Sequence, residues 1–217
     1  MRNVVVVDSE QGIARSPTER KTRGRPSSFD RDLALEAAMR VFWERGYEAS
    51  SISDLISAMG ITPPGLYRAF HAKEQLFLEA VERYAGSYGS IGMRALREER
   101  TARQAVERWL MEAANEFVQS SHPRGCMIVM SATNCTGAAQ GVCRALQRRR
   151  ADEAANMESR IREAIESGEL PSDIDARDLA RFYSAVYQGM SIQAKDGAGS
   201  AALMATARRA MRVWPVA

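Results

Sequence analysis

The chain reads as an all-α protein. Three observations predict this: apolar residues recur at three- and four-residue spacing from Asp30 to Val213, no segment alternates with a period of two, and glycine or proline breaks separate the periodic runs. A length of 217 residues allows one substantial core or two small domains.

The elements follow in order. Residues Met1 to Ser28 hold Gly12, Pro17, Gly24 and Pro26 with no sustained period and read as a flexible arm, basic through Arg15, Arg20, Lys21, Arg23 and Arg25. Asp30 caps a first helix that runs to Arg45, with Leu33, Ala34, Ala37, Ala38, Val41 and Phe42 as a broad buried face, and Gly46 ends it. Ser51, followed three residues later by Asp54, starts a short helix through Leu55, Ile56 and Met59. Gly60 stops it by supplying a positive φ. Thr62 caps a second short helix whose first turn takes Pro63 and Pro64, where a missing N–H costs no intrahelical bond. Leu66 and Phe70 form its buried pair, while Tyr67 and Arg68 turn outward.

A longer helix opens at Lys73 and buries Leu76, Phe77, Ala80, Val81 and Tyr84, until GSYGSIG from Gly86 weakens or bends it. Further helices are expected over Thr101–Ser121, Val142–Ser167, Asp175–Lys195 and Ser200–Val213. Leu146, Met157, Ile161 and Ile165 form the stripe of the second of these, and Leu179, Phe182, Tyr183, Val186 and Met190 that of the third.

Two short helices about a tight turn, SISDLISAMGITPPGLYRAF, form a helix-turn-helix, the unit that lays its second helix in the major groove of duplex DNA. An ordinary helical hairpin shares the spacing and the glycine. The wider run from Phe29, FDRDLALEAAMRVFWERGYEASSISDLISAMGITPPGLYRAFHAKEQLFLEAVERY, resembles the DNA-binding domain of the tetracycline-repressor (TetR) family of bacterial regulators. The features that carry the resemblance are the helix ending in ERGY, the paired helices, the LYRAF ending of the second and KEQLF opening the next. They cover about a quarter of the chain; the rest agrees in length and helical pattern.

The resemblance implies an arm at 1–28, a DNA-binding domain at 29–86 with its motif at 51–70, and an effector-binding and dimerisation domain at 87–217. It implies a homodimeric regulator of double-stranded operator DNA, a repressor released by a small-molecule effector. Ser51 matches a phosphate-contacting helix start and Lys73 a phosphate-contacting lysine. Thr62, Pro63, Pro64, Gly65, Tyr67, Arg68 and Ala69 match the recognition surface. Proline, glycine and alanine offer no side-chain hydrogen bond to a base edge, so Arg68 is the expected specific reader, with a solvated surface charge as the plainer reading. Ala72 stands where the family usually has a capping serine, and Ala69 where it often has histidine. Arg23 and Arg25, in RGRP, resemble a minor-groove hook; a basic arm attracted to phosphate is the alternative.

The resemblance also implies an effector cavity, for which the sequence offers Trp109, Phe117, Cys126, Met127, Met130, Tyr183, Tyr187 and Gln188 as candidate walls, with core packing as the plainer reading of any one of them. It assigns the last two helices to a four-helix dimer interface, supported by Tyr187, Ile192 and Ala194 extending beyond the stripe; a wholly internal helix competes.

Other classes find less in the residues. A formal charge of +3 leaves any basic surface to local clustering. His71 and His122 lie far apart, with neither metal-ligand nor triad spacing, and no glycine-rich loop follows a strand, so no cofactor, metal or catalytic residue is expected. Cys126, Cys135 and Cys143 are odd in number and lack paired spacing, which argues against a disulfide framework and suits a reducing cytoplasm. Arg124 and a helix start make Cys126 a candidate redox sensor, against a simpler role as a small buried hydrophobe. No apolar run reaches membrane-spanning length, and Val4 to Val7 is too short for a signal-peptide core. A cysteine-based enzyme and an architectural DNA binder held by the arm remain as alternatives, separable by turnover with active-site labelling and by arm deletion.

Overall fold

The computed structural model describes residues 29–131 and 136–215, whose regular structure is ten α-helices and two short 3-10 turns. Helix α1 (Arg31–Ala49) starts where the Asp30 carboxylate accepts from the backbone N–H groups of Asp32 and Leu33, and it breaks at Gly46, with φ of 79°. Its buried ridge is Ala34, Leu35, Ala38, Met39, Phe42 and Trp43, wedged against α2 (Ile52–Met59) and α4 (Lys73–Gly86). The expected face is therefore displaced. Leu33 lies on the solvent side, 68% exposed, because packing on two neighbours centres on the large rings of Phe42 and Trp43.

Between α2 and α4, helix α3 (Pro63–Phe70) follows a three-residue turn, and α4 buries all five apolar residues expected of it. Two elements were hidden in the glycine-rich run after Gly86: a 3-10 turn at Tyr88–Ser90 and helix α5 (Ile91–Glu98). The glycines there permit close approach. A Cβ on Gly89 would lie 2.8 Å from the Tyr84 ring, and one on Gly92 would lie 2.7 Å from Nε1 of Trp109.

Helices α6 (Ala102–Glu116), α7 (Met127–Met130), α8 (Gln140–Glu166), α9 (Ala176–Lys195) and α10 (Ser200–Met211) complete the chain. Helix α6 packs on α5 and α10, α8 packs on α9, and α4 reaches α8, so one hydrophobic core runs from α1 to α10. Cys143 is disulfide-bonded, which corrects the expectation drawn from cysteine number and spacing; Cys135 lies outside the described residues. No described helix is long and apolar enough to cross a membrane.

Candidate functional site

The α2–turn–α3 unit is built by its caps. The Ser51 hydroxyl accepts from the backbone N–H of Asp54 and donates to the Asp54 carboxylate, which also accepts from the backbone N–H of Ser51. Arg45 then ties the unit to α1, 2.6 Å from Asp54. Gly60 takes the left-handed conformation, and its N–H and that of Ile61 close on the carbonyls of Ser57 and Ile56. Thr62 Oγ1 accepts from Gly65 N–H at 3.4 Å. Leu66 and Phe70 face the core, so α3 presents Pro63, Pro64, Tyr67 and Arg68 to solvent, with Gly65 and Ala69 half-buried beside them.

Ser51 is thus spent on its own cap: both its hydroxyl and its N–H are committed to Asp54, which leaves the hydroxyl's second lone pair as its remaining polar capacity. Those bonds, with Arg45 after them, hold the Asp54 carboxyl at about 2. Replacing Ser51 with alanine should cost about 0.5 to 2 kcal/mol of stability. Because the folded value lies below the ordinary carboxylate range, the Asp54 contribution is complete above about pH 4 and fades as pH falls toward 2. Acid titration of the Ser51→Ala variant by circular dichroism should show that part of the decline removed.

Lys73 opens α4 with its ammonium 4.4 Å from the centre of the Tyr47 ring. Burial lowers its pKa, opposed by the nearby Glu48. Ala72 supplies no side-chain cap, as its departure from the family pattern implied, so the first-turn N–H groups of α4 lack a side-chain partner. Arg68 is exposed and makes no hydrogen bond or ion pair with another described residue. Phe29, where the described chain begins, lines the same shallow groove as Thr62, Gly65, Arg68 and Ala69. Arg23 and Arg25 lie outside the described residues.

A second constellation joins this head to the remaining helices. Trp43 Nε1 donates to the carbonyl of Gly125 at 3.0 Å, and the His122 imidazole stacks on the Trp43 ring at 4.5 Å. From the same segment, Cys126 N–H donates to Ser191 Oγ at 2.8 Å, and Arg124 Nε donates to the carbonyl of Ala194 at 2.7 Å. Gly125, with φ of 77°, lies so near α9 that a Cβ would come within 2.8 Å of the Ser191 carbonyl oxygen. Residues 122–126 therefore clamp α1 to α9.

The third feature is a cavity between α5, α6, α8 and α9, lined by Gly89, Gly92, Met93, Leu96, Trp109, Glu153, Met157 and Tyr187. Trp109 and Tyr187 stack at 4.6 Å, and Phe117 meets Tyr187 edge-on. The volume open to a water centre is about 20 Å³, room for a single water.

Comparison with known proteins decides what this assembly is. Residues 34–80 match the family model for bacterial regulatory proteins of the tetR family, and residues 99–211 match that for the tetracyclin repressor-like C-terminal domain. The HTH-type transcriptional repressor ComR of Escherichia coli K12 is 35% identical, over 90% of this chain and 94% of its own length. The chain belongs to the tetR family.

The same organism's HTH-type transcriptional repressor BdcR is 29% identical over 89% of this chain and 94% of its own. Among solved structures, a cysteine-substituted variant of the TetR family transcriptional regulator CifR, complexed with 26-base-pair double-strand operator DNA, is 42% identical. It superposes with a TM-score of 0.84, covering 88% of this chain and 100% of that one. The chain is a helix-turn-helix regulator of transcription.

In this tetR-family fold the expected cavity residues do not all meet. Trp109 and Tyr187 line the cavity and Phe117 backs it. Met127 is fully buried in α7, while Met130 and Gln188 are half-buried and not among the lining residues. Tyr183 serves the packing of α9 on α10, its hydroxyl donating to the Ala210 carbonyl. Cys126 is buried, and burial, with Glu153 after it, pushes its thiol up. The Arg124 guanidinium is spent on the carbonyls of Ala194 and Ala198 and does not act on the sulfur, while hydrogen bonds from Tyr84, the Val129 backbone N–H at the start of α7 and Tyr187 oppose the rise without overcoming it. Burial dominates, so the thiol is held protonated rather than activated as a nucleophile.

Sequence reasoning passed over Trp43, His122, Gly125 and Ser191 as a joint, and Glu153 in the cavity. A signal for Glu153 was present. The stripe of α8 lapses between Leu146 and Met157, and position 153, one turn before Met157, carries a carboxylate where an apolar residue belongs.

Proposed function

We propose that the protein is a homodimeric transcriptional repressor that binds a two-fold operator through α3 and is released by a small-molecule effector. Residues 29–86 act as the reading head, and residues 87–217 sense and dimerise. The observation that carries the reading is α3 itself, a helix capped and buried on one side, with Tyr67 and a free Arg68 on the other. The operator complex of CifR and the repressor relatives support it.

Dimerisation rests on the outer face of α9. Phe182, Ala185 and Ile192 are exposed there and Gly189 is half-buried, a mostly apolar stripe at helical spacing whose centre is small enough for close helix approach. Tyr187 and Ala194, expected on that face, belong instead to the chain's own core. Phe182, expected in the core, takes their place outside.

Effector entry at the cavity would push on α5, which the 3-10 turn at Tyr88–Ser90 joins directly to α4. Helix α4 packs on α1 and α3, so its displacement changes the spacing of the two heads. Phe29, the first described residue, lines a groove with Arg68, which supports the reading that Arg23 and Arg25 add phosphate attraction and minor-groove contact.

Selection of bound sequences from a random duplex library tests this reading. A symmetric site, with half-sites about one helical turn apart or a multiple of it, is expected. Replacing Arg23 and Arg25 with alanine should lower affinity and reduce preference for A·T-rich flanks. Enrichment of a single unsymmetric site, or of none, would overturn the dimeric operator reading.

A further inference from the structure

Glu153 projects from α8 into the cavity beside Trp109, Tyr187 and Met157. It makes no hydrogen bond or ion pair with another described residue. The two arginines nearest in sequence are engaged elsewhere, Arg149 with the Glu82 carboxylate and Arg150 with the carbonyl of Ile128. Burial pushes the Glu153 carboxyl up to about 7, with Arg149 and Arg150 opposing and Asp152 reinforcing. A part-buried carboxylate in an aromatic-walled cavity, with no hydrogen bond to the protein and two arginines that are themselves engaged elsewhere, carries a desolvation cost that a cation brought to it would offset.

We propose that the cavity recognises an organic cation, whose ammonium or comparably basic group pairs with Glu153 against the rings of Trp109 and Tyr187, while its apolar body lies along Met93, Leu96 and Met157. This rests on the reading of the cavity as the effector site. Aromatic faces attract cations through their quadrupole, tryptophan most strongly, and a carboxylate adds a full opposite charge in a poorly solvated setting. A neutral ligand of the same shape would leave the carboxylate unmatched, and an anion would meet like charge. Only a water fits at present, so a substituted ammonium enters by displacing α5, where Gly92 closes on Trp109. That displacement is the motion that reaches α4.

Ionisation gives a second signature. The groups that interact with Glu153 are Arg149, Arg150 and Asp152 on its own helix, Tyr84 on α4, Tyr187 on α9 and the buried Cys126 thiol. Burial holds the two tyrosines well above their ordinary value and raises the thiol, so their ionisation does not add to that of Glu153 near neutrality. Affinity for a permanent cation therefore rises as pH increases through about 7.

The test uses the full chain with phenyltrimethylammonium and its neutral isostere tert-butylbenzene, by calorimetry and by release of a fluorescent operator. Wild type should bind the cation about tenfold more tightly than the isostere, increasingly so from pH 6 to 8, and Glu153→Gln should erase both the preference and its pH dependence. The thermal midpoint and operator affinity of Glu153→Gln report that the fold is intact. Equal binding of the two compounds, or an unchanged preference in Glu153→Gln, overturns the inference. Release by the neutral compound alone also overturns it, while leaving the effector reading standing. Cation binding through Glu153 without operator release supports the inference and contradicts the effector reading instead.

Discussion

Replacing Trp43 with alanine lowers the free energy of unfolding by about 3 to 5 kcal/mol, the range for removing a fully buried aromatic ring from a packed core. The ring is 1% exposed and meets Tyr84, Tyr88 and His122 at centroid distances of 4.7, 5.2 and 4.5 Å. Its Nε1 also holds the Gly125 carbonyl, so truncation leaves a buried acceptor unmatched as well as a cavity. Urea titration with an unchanged slope gives the value directly. Trp43→Phe separates the parts: it keeps a ring but loses the bond, and should cost about 1 to 3 kcal/mol. A loss below about 1 kcal/mol for Trp43→Ala would show that the joint between α1 and residues 122–126 is not packed as described.

If the proposed dimer forms through the outer face of α9, Phe182→Asp combined with Ile192→Asp should give a monomer that folds. Both side chains are more than 40% exposed in the single chain, at 42% and 44%, so the substitutions leave its core alone. In a dimer they place carboxylates within an apolar helix-to-helix contact, where an unpaired charge is strongly disfavoured. Operator affinity should fall by about a thousandfold or more, toward the non-specific level, because a monomer reads one half-site. Analytical ultracentrifugation and fluorescence anisotropy measure the two effects on the same sample. A doubly substituted chain that stays dimeric would move the interface away from the outer face of α9.

The reading head was legible because its residues act locally. Ser51 with Asp54, Gly60, Thr62 and the two prolines each satisfy or terminate a nearby turn, and the i, i+4 pair Leu66 and Phe70 fixes which side of α3 is buried. The larger part was less legible, since burial there is decided by neighbours distant in sequence. Position 182 faces outward and position 187 inward because α8 and α10 approach α9 from one side, and a stripe of apolar residues cannot announce which side that is. Helix α5 and the 3-10 turn before it are hidden for another reason: Gly92 in the helix and Gly89 in the turn are poor helix formers, and they stand where Trp109 and Tyr84 leave no room for a Cβ. The joint at Trp43 depends on a contact 82 residues away, beyond any local pattern.

Helix α3 is proposed to read base edges through Arg68. Arginine presents a planar fork that matches the O6 and N7 acceptors of guanine, and in this structure the Arg68 guanidinium has no described partner to compete for it. The direct measurement is binding-site selection performed side by side with wild type, Arg68→Ala and Lys73→Ala. Arg68→Ala should weaken the cognate site by about 1 to 3 kcal/mol and relax preference at one symmetry-related position, a guanine, in each half-site. Lys73→Ala should weaken all sequences alike and flatten the salt dependence, as expected for a backbone contact. A selected site whose base preferences are the same for Arg68→Ala as for wild type would contradict the assignment of Arg68 as the reader.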